Sequence, residues 1–195
     1  MKIDKALKKQ KKYKGLFFAF MFFLAIILPI ITYLSYMKSL YIMFFLAIIE
    51  ILIFLAIISK MNYYELKFSF YNNKLKFRSG LFSKESVILC DKVAVVHTNK
   101  SKEDIEIIII TRNKFKNKKL KPLTKVILDK YPEIEKEIEK LKKIDNNHVY
   151  YFQVIKRGAL RKYLLLDNIY RNCVNSIYTY SAIENIKIAR GQNEI

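Results

Sequence analysis

The sequence predicts a membrane α-helical hairpin followed by an α+β cytosolic domain. Three observations predict it: two long apolar runs near the start, a switch to alternating apolar and polar residues after Tyr63, and amphipathic helical spacing after Pro122. With 195 residues there is room for an anchor and one small domain with a C-terminal extension.

The first run, residues 16–36, carries no formal charge over 21 residues. At about 1.5 Å per residue it spans roughly 30 Å, the thickness of a hydrocarbon core. Residues 41–59 repeat the pattern with Glu50 as their one charge, and only Met37, Lys38, Ser39 and Leu40 intervene. The two spans therefore form a tight antiparallel hairpin. The first run is too long for the apolar part of a signal peptide and lacks a small-residue cleavage pattern. Orientation follows from the lysines. Residues 1–15 hold Lys2, Lys5, Lys8, Lys9, Lys11, Lys12 and Lys14 against Asp4, whereas the turn holds Lys38. An excess of lysine marks the cytoplasmic side. The expectation is a cell (plasma) membrane protein with two spans and both termini cytoplasmic.

Glu50 lies at the centre of the second span, where a carboxylate costs on the order of 3 kcal/mol unless protonated or paired. Two readings stand: a protonated side chain that hydrogen-bonds within a homo-oligomer or to a partner's span, or a neutral one that snorkels to water without a role. Pro29, within the first span, reads as a tolerated membrane proline.

After Tyr63 the period is two. Leu66, Phe68 and Phe70 share one face of a strand, and Leu75 and Phe77 one face of the next; Asn72-Asn73 between them suits a tight turn. "ESVILC", "KVAVVHT" and "IEIIIIT" are further strands, with "NKSKED" as a turn. The unbroken isoleucines Ile107 to Ile110 imply a strand covered on both faces. Two helices follow: a short one in "PLTKVILDKY", and "PEIEKEIEKLKKI", with Pro132 at its start, acidic residues in the first turn and lysines in the last. Ile134, Ile138 and Leu141 form its apolar stripe. The organisation read from this is a basic cytoplasmic tail at 1–15, the hairpin at 16–59, a β-domain with a closing helix at 60–144, and a mainly helical appendage at 145–195. Within the appendage, "HVYYFQVI" reads as a strand. Leu160, Leu164, Ile169, Cys173 and Ile177 are roughly helically spaced, Ser181 and Glu184 form a capping box, and Gly191 stops a helix.

The asparagine hairpin, the basic strand "KLKFRSGLFSKESVIL", the acidic-led "DKVAVV" and the closing amphipathic helix resemble the bacterial PH-like domains carried behind paired membrane spans. The resemblance covers residues 63–143. It implies a PH-like antiparallel β-barrel or sheet with C-terminal helices and transfers no functional residues. A full barrel of that kind has seven strands; the edge strand not accounted for is either "RNKFKNKKL" or "VYYFQVI".

Chemistry-bearing motifs are sparse. His97 sits in a strand as a structural side chain, and His148 in "DNNH" has no metal-ligand spacing around it. With four glycines the chain has no phosphate-cradling loop, and no G-x-S-x-G, H-E-x-x-H or C-x-x-C. The expectation is no enzyme and no cofactor or metal. Cys90 and Cys173 read as two reduced, buried thiols, with a bridge or a reactive pair as alternatives.

The net charge of +19 calls for a partner or a solvated surface. Residues 112–125 concentrate it in Arg112, Lys114, Lys116, Lys118, Lys119, Lys121 and Lys125 with no acid between. Held near an anionic leaflet, such a cluster gains about 1 kcal/mol per cation; an acidic protein partner or plain solvation are the other readings. Nucleic acid is not expected, since no aromatic-interleaved motif accompanies the charge. Together these features predict an integral membrane protein that presents a PH-like interaction module to anionic lipid headgroups or a protein partner. The alternative is a small oligomeric transport or pore component that uses Glu50.

Overall fold

The computed structural model describes residues 1–35, 39–101, 104–115, 117–144 and 149–194. Lys38, Lys116 and His148 lie outside the described residues. Two helices, α1 (Ile3–Leu34) and α2 (Leu40–Tyr64), are long and apolar enough to cross a membrane. Their most apolar windows are 0% and 11% buried, so the rest of the chain leaves this surface uncovered.

The lysine-rich start is a correction to the expected tail. It is helical and continuous with the first apolar run, and its Ile3 and Ala6 are buried. Ile3 belongs to the domain's main core and Leu7 packs against it, while the Leu160 amide donates to Gln10 Oε1 at 3.2 Å. Apolar residues at spacings of three and four give this lysine-rich helix one face to bury while its lysines point to solvent. The start of α1 and the domain thus occupy the same end of the hairpin.

Among the described residues the domain has eight strands in two sheets. β1 (Leu66–Tyr71), β2 (Lys74–Ser79) and β3 (Ser86–Leu89) form an antiparallel meander. Asn72 and Asn73, at φ of 45° and 60°, make the tight β1–β2 turn as expected. After a 3-10 turn, Cys90–Lys92, the hairpin β4 (Val93–Ser101) and β5 (Asp104–Thr111) founds a second sheet of order β6-β7-β5-β4-β8. Its other members are β6 (Lys121–Pro122), β7 (Tyr151–Ile155) and β8 (Ile177–Tyr178), the last parallel to β4. Among the described residues the sheets share no strand, so they do not close into a barrel.

Both faces of the larger sheet are covered, as the isoleucine run requires. Ile107 and Ile109 join the core with β1–β3, α5 (Arg161–Asn172) and α6 (Tyr180–Ala189). Ile108 and Ile110 join a second core with Ile134 and Ile138 of α4 (Pro132–Ile144); α3 (Lys125–Lys130) adds Ile127 and Leu128 to its rim. All four isoleucines are fully buried, each contributing on the order of 2 kcal/mol of transfer free energy.

Three further expectations need correction. Of the two candidates for the missing strand, residues 112–120 form a loop and "VYYFQVI" supplies β7, which lies between β6 and β5, so the segment read as an appendage belongs to the sheet. A strand flanked on both sides by partners satisfies its backbone through the sheet, which makes residues 149–194 part of the same core. The α6 cap is Thr179, whose hydroxyl accepts from the Ala182 amide; Ser181 lies within the helix and reaches Glu133 instead. Cys90 and Cys173, expected as separate thiols, are joined as a disulfide with Cα atoms 4.6 Å apart, linking the end of β3 to the end of α5.

The passage from α2 into the domain is tied at several points. Asn62 Oδ1 accepts from the Leu81 amide at 2.9 Å and from Arg157 Nη1 at 3.3 Å. The Tyr63 carbonyl accepts from the Gly158 amide at 2.9 Å. Gly158 has φ +122°, and a Cβ there would lie 2.6 Å from Leu66, which is fully buried. Beneath them Lys162, 1% exposed, pairs with Asp104 at 2.6 Å and donates to the Lys156 carbonyl, and the Tyr63 hydroxyl donates to the same Asp104.

Two outcomes follow from these contacts. Alkylation of denatured, unreduced protein will find no free thiol, and reduction will lower the melting point. The bridge spans 83 residues, a loop whose closure is worth about 4–5 kcal/mol in the chain-entropy model. Two alkyl adducts without reduction would restore the reduced-thiol reading. Lys162→Met will cost about 3–5 kcal/mol in denaturant unfolding, because it leaves the Asp104 charge buried without its cation; Lys162→Met with Asp104→Leu will cost less than the single change.

Candidate functional site

The structure splits the basic segment. Arg112 follows the end of β5, Lys121 lies in the two-residue β6, and Lys125 opens α3. These three, with Lys114 and Lys118, remain exposed at the surface. Lys119 turns inward, and its Nζ donates to Ser83 Oγ and to the Lys84 carbonyl, both at 2.5 Å. The loop is held for this by Asn117, a buried side chain whose Nδ2 donates to Gln153 Oε1 at 2.8 Å. Gln153 Nε2 in turn donates to Ser86 Oγ at 3.0 Å. This buried relay connects the basic loop, β7 and β3, and so bridges the two sheets by side chains where no backbone ladder does.

Beside the relay, a groove of about 240 Å³ opens between the sheets. Its charged lining is Lys119, Lys156 and Arg157, its polar lining includes Ser79 and Ser83, and no carboxylate is among the described residues that line it. Burial and the neighbouring Arg157 charge both push the Lys119 ammonium below its usual value. Lys156 has a loose acidic neighbour, Glu106, at 3.8 Å. Ser79 Oγ donates to the Arg157 carbonyl at 3.2 Å, which fixes the backbone that carries the guanidinium. Gly80 makes this approach possible: at φ +96°, its missing Cβ would meet Asn62 Oδ1 at 2.6 Å and Arg157 Nη1 at 2.8 Å. The arrangement can hold an anion, since it offers converging N–H and O–H donors around uncompensated positive charge. Sequence reading found Lys119 but missed Arg157. The "KRG" after a strand carries no spacing signal that connects it to "SGLFS" 74 or more residues earlier.

Glu50 is half-buried: its Oε1 is covered and lacks a hydrogen-bond partner among the described residues. His97 is buried and sits against the Tyr131 ring, with Nδ1 3.0 Å from Thr179 Oγ1 and 3.6 Å from Glu133 Oε2. Glu133 spans from the start of α4 to the start of α6, accepting from the Ser181 hydroxyl at 2.5 Å and its amide at 3.2 Å. Burial pushes the Glu133 carboxyl up, but the Ser181 bonds, His97 and Thr179 together bring it below its ordinary value. Burial pushes the His97 imidazole down against the pull of Glu133. Ser181 bonds the carboxylate, and the hydroxyl that meets the imidazole is that of Thr179, which also accepts from the Ala182 amide as the α6 cap. No group of three or more potential metal ligands occurs among the described residues.

No protein-family model matches the chain, and neither curated proteins nor solved structures yield a match.

The buried imidazole sets an acid limit on stability. A folded-state value below 6.5 means that the unfolded chain binds a proton that the folded chain refuses. Stability is therefore expected to fall as pH drops through 6.5 and to keep falling until His97 charges in the folded state. Glu133, held below 4.5, adds to the fall only as pH approaches 4.5. His97→Gln will flatten the melting temperature between pH 6.5 and 4.5; an unchanged slope would assign the effect elsewhere.

Proposed function

We propose that this chain is an integral membrane protein of bacterial type, in which the hairpin α1–α2 spans the cell membrane and holds a PH-like interaction module against the cytoplasmic leaflet. The observation that carries the reading is the uncovered apolar surface of both helices, at 0% and 11% burial, directly continuous with a domain tied to the end of α2. A surface of that extent is costly in water and matched to lipid. The lysines of α1 and the domain lie at one end of the hairpin, and the asymmetry against Lys38 orients that end to the cytoplasm. Cys90 and Cys173 are 2% and 1% exposed, and such burial slows the attack of thiol reductants on their bond.

Two mainly antiparallel sheets with closing helices support a PH-like domain in coarse form. The module works by position: the hairpin fixes its place, the cationic surface attracts anionic headgroups or an acidic protein partner, and no covalent chemistry is involved. One observation favours a second reading. The covered Glu50 Oε1, without a hydrogen-bond partner among the described residues, fits a small oligomeric transport or pore component that uses this carboxyl.

Membranes from cells that express the full chain will retain it through alkaline carbonate washing, and protease outside intact cells will leave the region after Tyr64 uncut. Release by carbonate, or digestion of that region from outside, would overturn the reading. Purified protein in liposomes will conduct no ions that depend on Glu50; a flux abolished by Glu50→Gln would establish the second reading instead.

A further inference from the structure

The groove between the sheets lies at a defined height relative to the hairpin. Near the base of the spans, Lys14 Nζ sits 5.7 Å from the Phe18 ring and 5.4 Å from the Tyr64 ring. Lys60 Nζ sits 5.5 Å from the Phe17 ring and 5.6 Å from that of Tyr64. A girdle of lysines over aromatic rings at the end of an apolar run marks the level where hydrocarbon gives way to water. Asn62 follows Lys60 by two residues, about 3 Å along the helix axis. The same Asn62 Oδ1 holds the Leu81 amide and Arg157 Nη1. The β2–β3 turn and the Arg157 guanidinium are therefore fixed beside this boundary.

Two features of that turn are unexplained by the domain's own stability. Phe82 is 77% exposed, although its neighbours on both sides are tethered, Leu81 to Asn62 and Ser83 to Lys119. Beside it, Lys119 and Arg157 face a groove with no carboxylate among its described lining residues. Two cations held together in a partly dry site repel unless an anion joins them. At about 240 Å³ the groove is smaller than a site for a drug-sized ligand, but it admits a phosphate. Arginine suits that group because its planar donors bind two phosphate oxygens together. An exposed aromatic ring beside the girdle suits the zone just under the headgroups.

Resting on the membrane reading above, we infer that Lys119 and Arg157 bind the phosphate of an anionic phospholipid while Phe82 enters the headgroup–acyl boundary beside it. The turn thereby fastens the domain to the leaflet at a second point, next to the end of α2. The lipid is the source of the phosphate because the site adjoins the bilayer and carries its own apolar tip.

The chain has no tryptophan, so Phe82→Trp introduces a single reporter. The full-length variant is reconstituted in nanodiscs of phosphatidylcholine with or without phosphatidylglycerol, using lipids brominated near the top of the acyl chain. Trp emission is expected to be blue-shifted and quenched by bromine, with phosphatidylglycerol preferred. Adding Lys119→Gln or Arg157→Gln is expected to lower that preference about fivefold each. Lys119→Arg will retain it, as will Lys136→Gln on the exposed face of α4, and unchanged melting curves exclude misfolding as the cause of a loss. Solvent-like, unquenched emission from protein that resists carbonate extraction would overturn this inference and leave the membrane reading intact. So would a preference insensitive to both glutamine variants, or one abolished by inorganic phosphate equal to the lipid phosphate present, which would make the site one for free anions. Protein that carbonate releases would overturn both.

Discussion

Asn62, Tyr63 and Leu66 lie at the point where an apolar helix meets a folded domain, and each is engaged by a segment distant in sequence. Asn62 gathers the β2–β3 turn and Arg157, Tyr63 takes Gly158 and Asp104, and Leu66 fills the space that the missing side chain of Gly158 leaves. A helix end that leaves its last carbonyls to water is free to swivel. Here the outgoing chain is instead bonded to three separate loops. The orientation of the domain relative to the hairpin follows from those contacts, and so does the placing of its exposed cations relative to the two apolar helices.

The Lys162–Asp104 pair supports that junction from beneath. A lysine 1% exposed is tolerable only because the Asp104 carboxylate and the Lys156 carbonyl accept hydrogen bonds from its ammonium. Such a pair contributes less to net stability than a well-packed apolar pair of the same size. Its effect here is to fix position. It joins the β4–β5 hairpin to the start of α5, with Tyr63 of α2 bonded to the same carboxylate. On the opposite face of the large sheet, Glu133 does similar work between α4, α6 and His97. The two cores of the domain are thus each closed by a charged or strongly polar link between elements far apart in the chain.

The two sheets illustrate another use of polar contacts. Among the described residues no strand connects them, and the Asn117–Gln153–Ser86 side-chain relay bridges them instead. A buried amide that bonds at both ends specifies a single separation between the surfaces it joins. That separation leaves the groove open, and the relay also pulls the basic loop into place so that Lys119 reaches Ser83. The opening between the sheets and the cation inside it have one cause.

Local patterning determined much of this protein. Apolar runs the length of a bilayer, with Glu50 as their one charge, specify two long apolar helices, Asn72-Asn73 specifies a hairpin, and four successive isoleucines specify a strand buried on both faces. Pro132 and the charge gradient behind it specify α4. Each of these depends on residues within a few positions of one another, where periodicity and backbone preference act directly. The tertiary structure decided what those preferences leave open. It placed β7 between strands more than 25 residues earlier in the chain, joined Cys90 to Cys173, docked the lysine-rich start of α1 through Ile3, and separated Lys119 from the other cations to face Arg157. Those outcomes depend on which apolar faces find each other across long loops, and no local spacing encodes that choice.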